Sequence, residues 1–566
     1  MKKFDKRNLI YMIIAVGVNL MIAALAIFVF GVRYCTDDDL SMAYIAYGIY
    51  MKPSSRIIYS NVVIGWFMKT LFGVRETINW LVVLYFAGLC TGGFIALYEI
   101  LKTRSAKLLV LWSVFVSCFF YCSFVSITFT LVSAYICCQG YLAFFLSIKR
   151  EEKMCMVLSG LMIVYASLIR VESVMAISMC AAVSWCMVVF SFVKKEGNFN
   201  IKSIARRYVW PFVAVVVGIG VFYVGDKLAY SSDEWAEYYE YYLLRGEILD
   251  DCSIINMGDT KRQRDIGISE AAATSLNEWY FNDPEVFDSE LFSKIDEISS
   301  DLRGEYITHP FEDMCAGIRQ TFCSHYIFRV SILTLWILAV WAFVNGIVVK
   351  GVALLGALVP YLIQMFAYCY MGRYADVLEK VFPQRLIEIT VMGFFACFFI
   401  IEAGFEQEEE KSYFSAVLVM ISLVASVFLQ VHENYDFRGF SLKSESMIEE
   451  KYSYLNDGHI YVMEYRALQR FMDEYRAWQN PPQGYLNNFI TLGGCEVNYP
   501  LLVEKQNELG VNNPYKALFE DSNVVLLAPD YPEIELAYLR DMYDENIECE
   551  LVDTHDELNV YNFSIN

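Results

Sequence analysis

The chain has 566 residues, of which 57% are hydrophobic and only 19% are charged, whereas soluble proteins are about 45–50% apolar. This composition excludes a single soluble globular domain and predicts a polytopic membrane protein with soluble portions. The net charge of −21 argues against nucleic acid as a partner, because such a partner needs an excess of basic side chains.

Apolar runs long enough to cross a bilayer predict about eleven transmembrane helices. They lie at about 9–31, 78–101, 108–125, 127–148, 154–170, 172–193, 208–225, 326–349, 352–370, 386–404 and 412–431. The first run follows a basic N-terminus and is too long for a cleaved signal peptide, so it is predicted to remain as a helix. The apolar stretch 57–72 is short and contains Asn61 and Lys69, and we interpret it as an interfacial or re-entrant helix.

Basic residues in the short connections predict the orientation of the chain. With the N-terminus in the cytoplasm, the cytoplasmic connections contain Lys102, Arg104, Lys107, Lys149, Arg150, Lys153, Lys194, Lys195, Lys202, Arg206, Arg207, Lys350 and Lys411. This distribution follows the positive-inside rule. It predicts that the first loop, 32–77, and the two long acidic regions, 226–325 and 433–566, lie outside the cell. The first loop is expected to contain membrane-lying helices.

The two acidic regions differ in their patterns. Residues 226–323 contain 22 acidic and 8 basic side chains, and the region 226–325 is predicted to be mostly helical. Its aromatic run, 234–242, favours a helix packed against its own loop, and a sugar-stacking or interfacial role is the alternative.

Residues 433–566 contain 25 acidic and 9 basic side chains. Predicted strands at 459–465, 523–528, 547–553 and 559–565 alternate with predicted helices at 464–478 and 533–546. This order predicts a small external α/β domain at 433–566, which follows a transmembrane module at 1–432. The Leu-Gly-Gly segment at 492–494 is predicted to be a plain turn, because no phosphate-loop pattern surrounds it.

Three adjacent carboxylates, Asp37, Asp38 and Asp39, follow the first apolar run. A charge at the bilayer centre costs about 2.5–3.5 kcal/mol even on lenient scales, so these residues mark a water boundary. Two interpretations stay open: the carboxylates end the first helix, or one of them is a general base. Adjacent carboxylates repel one another, which raises the pKa of at least one of them toward a useful value.

Three arginines are candidates for binding a phosphate group. Arg170 interrupts a long apolar stretch, and it is interpreted either as part of an external hairpin turn or as a phosphate ligand. Arg373 and Arg385 flank a short connection predicted to lie outside, where they bind phosphate or form salt bridges with Asp376 or Glu379.

Together these features resemble the GT-C superfamily of integral-membrane glycosyltransferases. Its members have an external acidic motif after the first transmembrane helix, a first external loop with membrane-lying helices, and often a soluble C-terminal domain. The chain is also similar to a group of uncharacterised bacterial multi-spanning proteins. That similarity rests on 37–40 (DDDL), Gly48, 58–65 (IYSNVVIG), 78–80 (INW), Gly493-Gly494, Asn513-Pro514 and 523–525 (NVV).

The resemblance implies inverting transfer of a sugar from a polyprenyl-phosphate donor, at a bacterial plasma membrane, to an acceptor outside the cell. The acceptor would be a wall polymer, a teichoic acid, a lipid or a protein. One of Asp37, Asp38 and Asp39 would be the general base, and Arg170, Arg373 or Arg385 would hold the donor phosphate.

Some members of this superfamily pair the first-loop acid with a second acidic motif that helps to bind a metal. This sequence has no clear second motif and its five histidines form no ligand-like cluster, so no metal ligand is predicted and a divalent metal is left open. Two other functions remain as alternatives: a transporter or flippase of a lipid-linked glycan, and a non-catalytic cell-surface assembly protein.

Overall fold

The computed structural model describes residues 6–196, 205–246, 248–249, 264–306, 310–370, 382–405, 453–464, 467–468, 477–555 and 558–565. Within these ranges, nine helices are long and apolar enough to cross a membrane. They are Lys6–Phe30, Trp80–Thr103, Ala106–Val125, Phe129–Lys149, Val171–Phe192, Ala205–Ala229, Tyr326–Val344, Val348–Ala367 and Arg385–Gly404. The prediction of a polytopic helical membrane protein is therefore confirmed.

The other two predicted spans have different outcomes. The run at 154–170 forms the helix Lys153–Ile169, whose 17 residues reach about 26 Å, somewhat less than a typical hydrocarbon core. The run at 412–431 lies outside the described residues. The apolar stretch 57–72 contains the helix Val62–Phe72, whose 11 residues are too few to cross a bilayer.

In chain order, the described helices up to residue 246 are α1 (Lys6–Leu25), α2 (Asp37–Tyr47), α3 (Val62–Phe72), α4 (Trp80–Thr103), α5 (Ala106–Phe120), α6 (Phe129–Lys149), α7 (Lys153–Ile169), α8 (Val171–Glu196), α9 (Trp210–Ala229) and α10 (Asp233–Gly246). Those that follow are α11 (Glu270–Asn277), α12 (Ser289–Tyr306), α13 (Pro310–Ser324), α14 (Tyr326–Val344), α15 (Val348–Gly356), α16 (Leu358–Tyr370), α17 (Phe382–Gly404), α18 (Pro500–Leu509), α19 (Pro514–Glu520) and α20 (Glu533–Met542). Helices α10 to α13 agree with the mostly helical character predicted for 226–325.

Helix α6 is the centre of the helical part. It is buried along its whole length and packs against α4, α7, α8 and α17. Close packing of α4 on α6 depends on Gly88, where a Cβ would lie 2.6 Å from a carbon of Ile136. The start of α6 contacts the first loop, because the Phe129 amide donates to Asp39 at 2.8 Å.

Two short parallel strands pair with each other, one after the first helical segment and one after the segment that contains α5. Strand β1 (Arg33–Tyr34) pairs with β2 (Ser126–Ile127). The amide of Cys35 also donates to the carbonyl of Ile127 at 2.8 Å. Because α2 follows β1 and α6 follows β2, the first turns of these two helices lie side by side.

A five-stranded sheet lies near the C-terminus, in the strand order β4-β3-β5-β7-β6. Its strands are β3 (Ile460–Met463), β4 (Phe489–Thr491), β5 (Val524–Ala528), β6 (Ile547–His555) and β7 (Leu558–Ile565). Strand β3 is parallel to β4 and β5, whereas β7 is antiparallel to β5 and β6. Four strands and α20 match predicted elements, β4, α18 and α19 were not predicted, and most of the predicted helix 464–478 lies outside the described residues.

The C-terminal sheet region contacts the first loop through its backbone. The amides of Gly484 and Leu486 donate to the carbonyls of Gly48 and Ile49, both at 3.0 Å. The Tyr50 hydroxyl also donates to Glu496 at 2.8 Å. The first loop and the sheet region are therefore held together at several points.

The 492–494 segment does more than form a plain turn. Gly493 forms a bridge with Tyr280, and a Cβ at Gly493 would lie 1.5 Å from the carbonyl oxygen of Trp279. Asn282 reinforces the contact, because its side chain donates to the Thr491 carbonyl at 2.7 Å. Only glycine allows the two backbones to approach this closely.

Candidate functional site

Asp39 is fixed in place by three hydrogen bonds. It is 0% exposed and accepts from the Tyr85 hydroxyl at 2.8 Å, the Phe129 amide at 2.8 Å and the Thr36 hydroxyl at 3.0 Å. Burial raises the pKa of its carboxyl to about 7. Both carboxylate oxygens accept hydrogen bonds inside the protein, and these bonds connect α2 to α4 and α6.

Asp38 has a different environment, although it is the next residue in the same helix. Its side chain is partly exposed. Burial raises the pKa of its carboxyl, whereas a hydrogen bond with Tyr59 and the charges of Arg385, Arg170 and Arg245 lower it. Asp38 is therefore a carboxylate within the electrostatic influence of three guanidinium groups. The side chain of Asp37 lies outside the described part of the structure.

Arg170 occupies the break between α7 and α8. Its Nε lies 2.8 Å from a carboxylate oxygen of Glu172, and its Nη1 donates to the Tyr59 carbonyl at 3.3 Å. The guanidinium carbon lies 5.0 Å from the centre of the Phe129 ring. Arg170 therefore sits in the break between two helices, and its role as a phosphate ligand stays a prediction.

Arg385, in α17, belongs with Arg170 to the cluster of arginines whose charges act on Asp38. Its Nη2 lies 3.6 Å from the sulfur of Cys35, and its Nε is buried without a hydrogen-bond partner among the described residues. It therefore retains donor capacity beside Asp38. Arg373, Asp376 and Glu379 lie outside the described ranges.

Arg245 was not predicted, but it completes the cluster. It is 2% exposed, its Nη1 donates to the Gly494 carbonyl at 3.0 Å, and its guanidinium lies 5.0 Å from the centre of the Tyr242 ring. A buried guanidinium placed in this way acts on Asp38 through its charge rather than through a contact with substrate. Arg245 belongs to α10, the helix that contains the aromatic run.

The aromatic face of α10 packs against other parts of the chain. The Tyr238 hydroxyl donates to the Cys495 carbonyl at 2.9 Å, and the rings of Tyr242 and Tyr59 are 6.0 Å apart. The same helix also packs within its own region, as favoured from the sequence, because the rings of Tyr241 and Phe292 lie 5.2 Å apart. Tyr238, Tyr242 and Arg245 are spaced four and three residues apart, the spacing of one helix face, which is the signal that could have identified Arg245.

A cavity of about 330 Å³ adjoins the cluster and shares Tyr59 and Arg170 with it. It lies between the 58–61 segment, the start of α8, the end of α9 and α10. Its other polar lining residues include Asn61, Glu172, Tyr223, Asp226, Lys227 and Tyr239.

The surroundings of Asp38 do not fit a divalent metal, because arginines face the carboxylate where a metal site would need further acidic ligands. Within the described ranges, the one group of three suitable ligands is Glu99, Glu152 and Cys155. Lys102 and Arg150 form ion pairs with both of those carboxylates. That group is therefore an ion-pair network.

The fold defines the chain as a polytopic helical membrane protein with a small sheet near its C-terminus. Comparisons with protein-family models, with curated proteins and with solved structures found no match.

Proposed function

We propose that this protein is a membrane glycosyltransferase of the GT-C type. It moves a sugar from a polyprenyl-phosphate donor to an acceptor outside the cell, with inversion at the anomeric carbon. The observation that carries the proposal is the cluster at the start of α2, where partly exposed Asp38 faces Arg170, Arg245 and Arg385. The carboxylate can accept the proton of the acceptor hydroxyl, and the guanidinium groups can bind the phosphate that leaves.

The proposed reaction is a single displacement. Asp38 takes the proton of the acceptor hydroxyl, and the hydroxyl oxygen attacks the anomeric carbon of the donor. The bond between that carbon and the phosphate oxygen breaks, and polyprenyl phosphate leaves with the electron pair. Burial raises the pKa of Asp38 above its usual range, which makes it a stronger base than an exposed carboxylate.

The three arginines have different proposed roles. Arg385 has an unused donor and Arg170 lies at the edge of the cavity, so these two groups bind the phosphate and stabilise the charge that develops on it. Arg245 is engaged by the Gly494 carbonyl and by aromatic rings, and its charge lowers the pKa of Asp38, which favours the ionised form.

The proposed location is a bacterial plasma membrane, with the N-terminus in the cytoplasm and the C-terminal region outside. The basic short connections support this orientation. It places the start of α2, directly after the first span, at the outer water boundary, where a lipid-linked donor and an external acceptor meet.

The direct test uses purified protein in lipid, radiolabelled polyprenyl-phosphate sugars and a membrane extract as the source of acceptor. Wild type is compared with Asp38→Asn and with Asp530→Asn, which removes an exposed carboxylate of the sheet region. We expect transfer by wild type and by the control, and a loss of about 100-fold or more in Asp38→Asn, the usual range for removal of a general base.

Three other results of this experiment would contradict the proposed function. Binding of the donor without transfer would favour a transporter or flippase of the lipid-linked glycan. Neither binding nor transfer would favour a cell-surface assembly protein. Full transfer by Asp38→Asn would remove Asp38 from the mechanism.

A further inference from the structure

The cavity beside Arg170 has a preformed wall. The Ser60 hydroxyl donates to the Ile169 carbonyl at 2.7 Å, and the Asn61 side chain donates to the Phe222 carbonyl at 2.9 Å. The Val62 amide donates to Oδ1 of Asp226 at 2.7 Å. These bonds connect the first loop to α7 and α9, so the cavity exists before a ligand binds, as is usual for ligand sites.

The charges that line this cavity balance one another. Arg170 is paired with Glu172, and Lys227 donates to the Tyr239 hydroxyl close to Asp226. With two cations and two carboxylates, the cavity lining carries no net charge. Among the described residues only Oδ1 of Asp226 is engaged, so Oδ2 remains able to accept a hydrogen bond.

Aromatic rings supply the rest of the lining. The rings of Tyr223 and Tyr239 lie 5.5 Å and 4.2 Å from Nζ of Lys227. Carboxylates, an amide and phenol groups beside aromatic rings offer both hydrogen bonds and apolar faces. A ligand with many hydroxyl groups and no net charge matches this combination.

The cavity opens beside a face of the protein that is suited to lipid. Phe222 and Tyr223 are exposed at its edge, and α9, which carries them, has most of its apolar surface uncovered. A sugar attached to a membrane lipid can reach the cavity along this helix, whereas a soluble acceptor would not need an apolar approach.

From these observations we propose that the cavity binds the sugar ring of the lipid-linked donor. Asp226 and Glu172 accept hydrogen bonds from the ring hydroxyls, and a tyrosine ring covers an apolar face of the sugar. Arg170 lies between the ring and the phosphate. This inference rests on the proposed function, since it assigns the donor's sugar to a particular place beside Asp38.

The test measures binding without requiring catalysis. Protein in lipid nanodiscs is titrated with radiolabelled polyprenyl phosphate and with the same lipid carrying a hexose, a pentose or an N-acetylhexosamine. The variants are Asp226→Asn, whose amide oxygen can still accept from the Val62 amide, and Tyr239→Ala, which removes the ring. The matched controls are Asp530→Asn and Tyr531→Ala, at exposed positions of the sheet region.

We expect wild type and both controls to bind at least one sugar-bearing lipid about tenfold more tightly than polyprenyl phosphate, a factor typical of one or two hydrogen bonds to charged groups. The two cavity variants should lose this difference and keep the Kd for polyprenyl phosphate. Equal binding of all lipids by wild type, or an unchanged difference in both cavity variants, would overturn the inference.

The two proposals fail in different ways. Transfer that depends on Asp38, combined with an unchanged sugar preference in both cavity variants, would refute the cavity assignment alone. A sugar preference that the cavity variants lose, without any transfer by wild type, would refute the catalytic function alone.

Discussion

At the scale of single residues, neighbouring carboxylates have separate roles because a helix turns them in different directions. Successive side chains of α2 point about 100° apart. Asp39 therefore meets Tyr85 and the start of α6, whereas Asp38 meets Tyr59 and the arginines. Asp39 is surrounded by hydrogen-bond donors that fix its position, whereas Asp38 lies near cationic side chains and is partly exposed.

Asp39 should make the stability of the protein depend on pH. Its folded-state pKa of about 7 is higher than the value of about 3.9 in an unfolded chain. The folded state therefore holds the proton more tightly, and this contribution to stability is complete below about pH 4 and is lost as the pH rises to about 7. We expect Asp39→Asn, which cannot titrate, to flatten the change in melting temperature between pH 4 and pH 7. An unchanged pH profile in this variant would contradict the assignment.

Lys505 should make the stability of the protein rise with pH, the opposite of the effect expected for Asp39. It is 7% exposed, its Nζ donates to the Leu486 and Phe489 carbonyls, and burial lowers its pKa to about 7. An unfolded lysine keeps its proton to about pH 10.4, so the unfolded state holds more protons between these values and stability rises with pH across that window. Pulse proteolysis at pH 7 and pH 9.5 should show this rise in wild type and not in Lys505→Met. A rise of equal size in both proteins would show that another group is responsible.

At the scale of elements, the helical segment after α9 is attached to the C-terminal sheet region by buried polar contacts. Asp283 is 0% exposed and accepts hydrogen bonds from Asn513 at 2.8 Å, from Tyr538 at 2.9 Å and from Tyr543. A carboxylate buried with three donors is costly to disrupt. This attachment fixes the segment between α11 and α12 against α20 and the residue that precedes α19.

Gly493 is the most sensitive point of that attachment. In Gly493→Ala the new Cβ would meet the backbone oxygen of Trp279 at 1.5 Å, and backbone atoms cannot turn aside as a flexible side chain can. We expect a lower melting temperature, faster proteolysis of the sheet region and reduced transfer. Gly220→Ala is the control, because its Cβ meets nothing within 4 Å and alanine favours a helix. Equal behaviour of the two variants would show that the close approach is unimportant.

At the scale of the whole molecule, the orientation can be tested with reporter fusions. Alkaline phosphatase is active only outside the cytoplasm, whereas green fluorescent protein fluoresces when it folds inside. We expect active phosphatase after Asn566, and fluorescence but no phosphatase activity after Lys107. The reverse pattern would place Asp38 on the cytoplasmic side and remove the proposed external acceptor.

Hydrophobicity made the helical architecture predictable, because a span is a local property of about 20 residues. The strands β3, β5, β6 and β7 were also visible as short apolar runs between turns. The site was only partly predictable. Asp38, Arg170 and Arg385 were recognisable as charges at the ends of apolar runs, but Arg245 and Tyr59 join them only through tertiary packing. The distinction between Asp38 and Asp39 depends on what α4, α6 and the arginines present to each carboxyl, which local sequence does not encode.

The central claim is that Asp38 performs chemistry whereas Asp39 supports the fold. The most direct measurement compares Asp38→Asn and Asp39→Ala in lipid, each assayed for both transfer rate and melting temperature. We predict that Asp38→Asn keeps the melting temperature of wild type and loses transfer by about 100-fold or more. Asp39→Ala should lower the melting temperature, because it leaves the buried Tyr85 hydroxyl and Phe129 amide without an acceptor. Unimpaired transfer by Asp38→Asn, or loss of transfer by Asp39→Ala at a wild-type melting temperature, would contradict the claim.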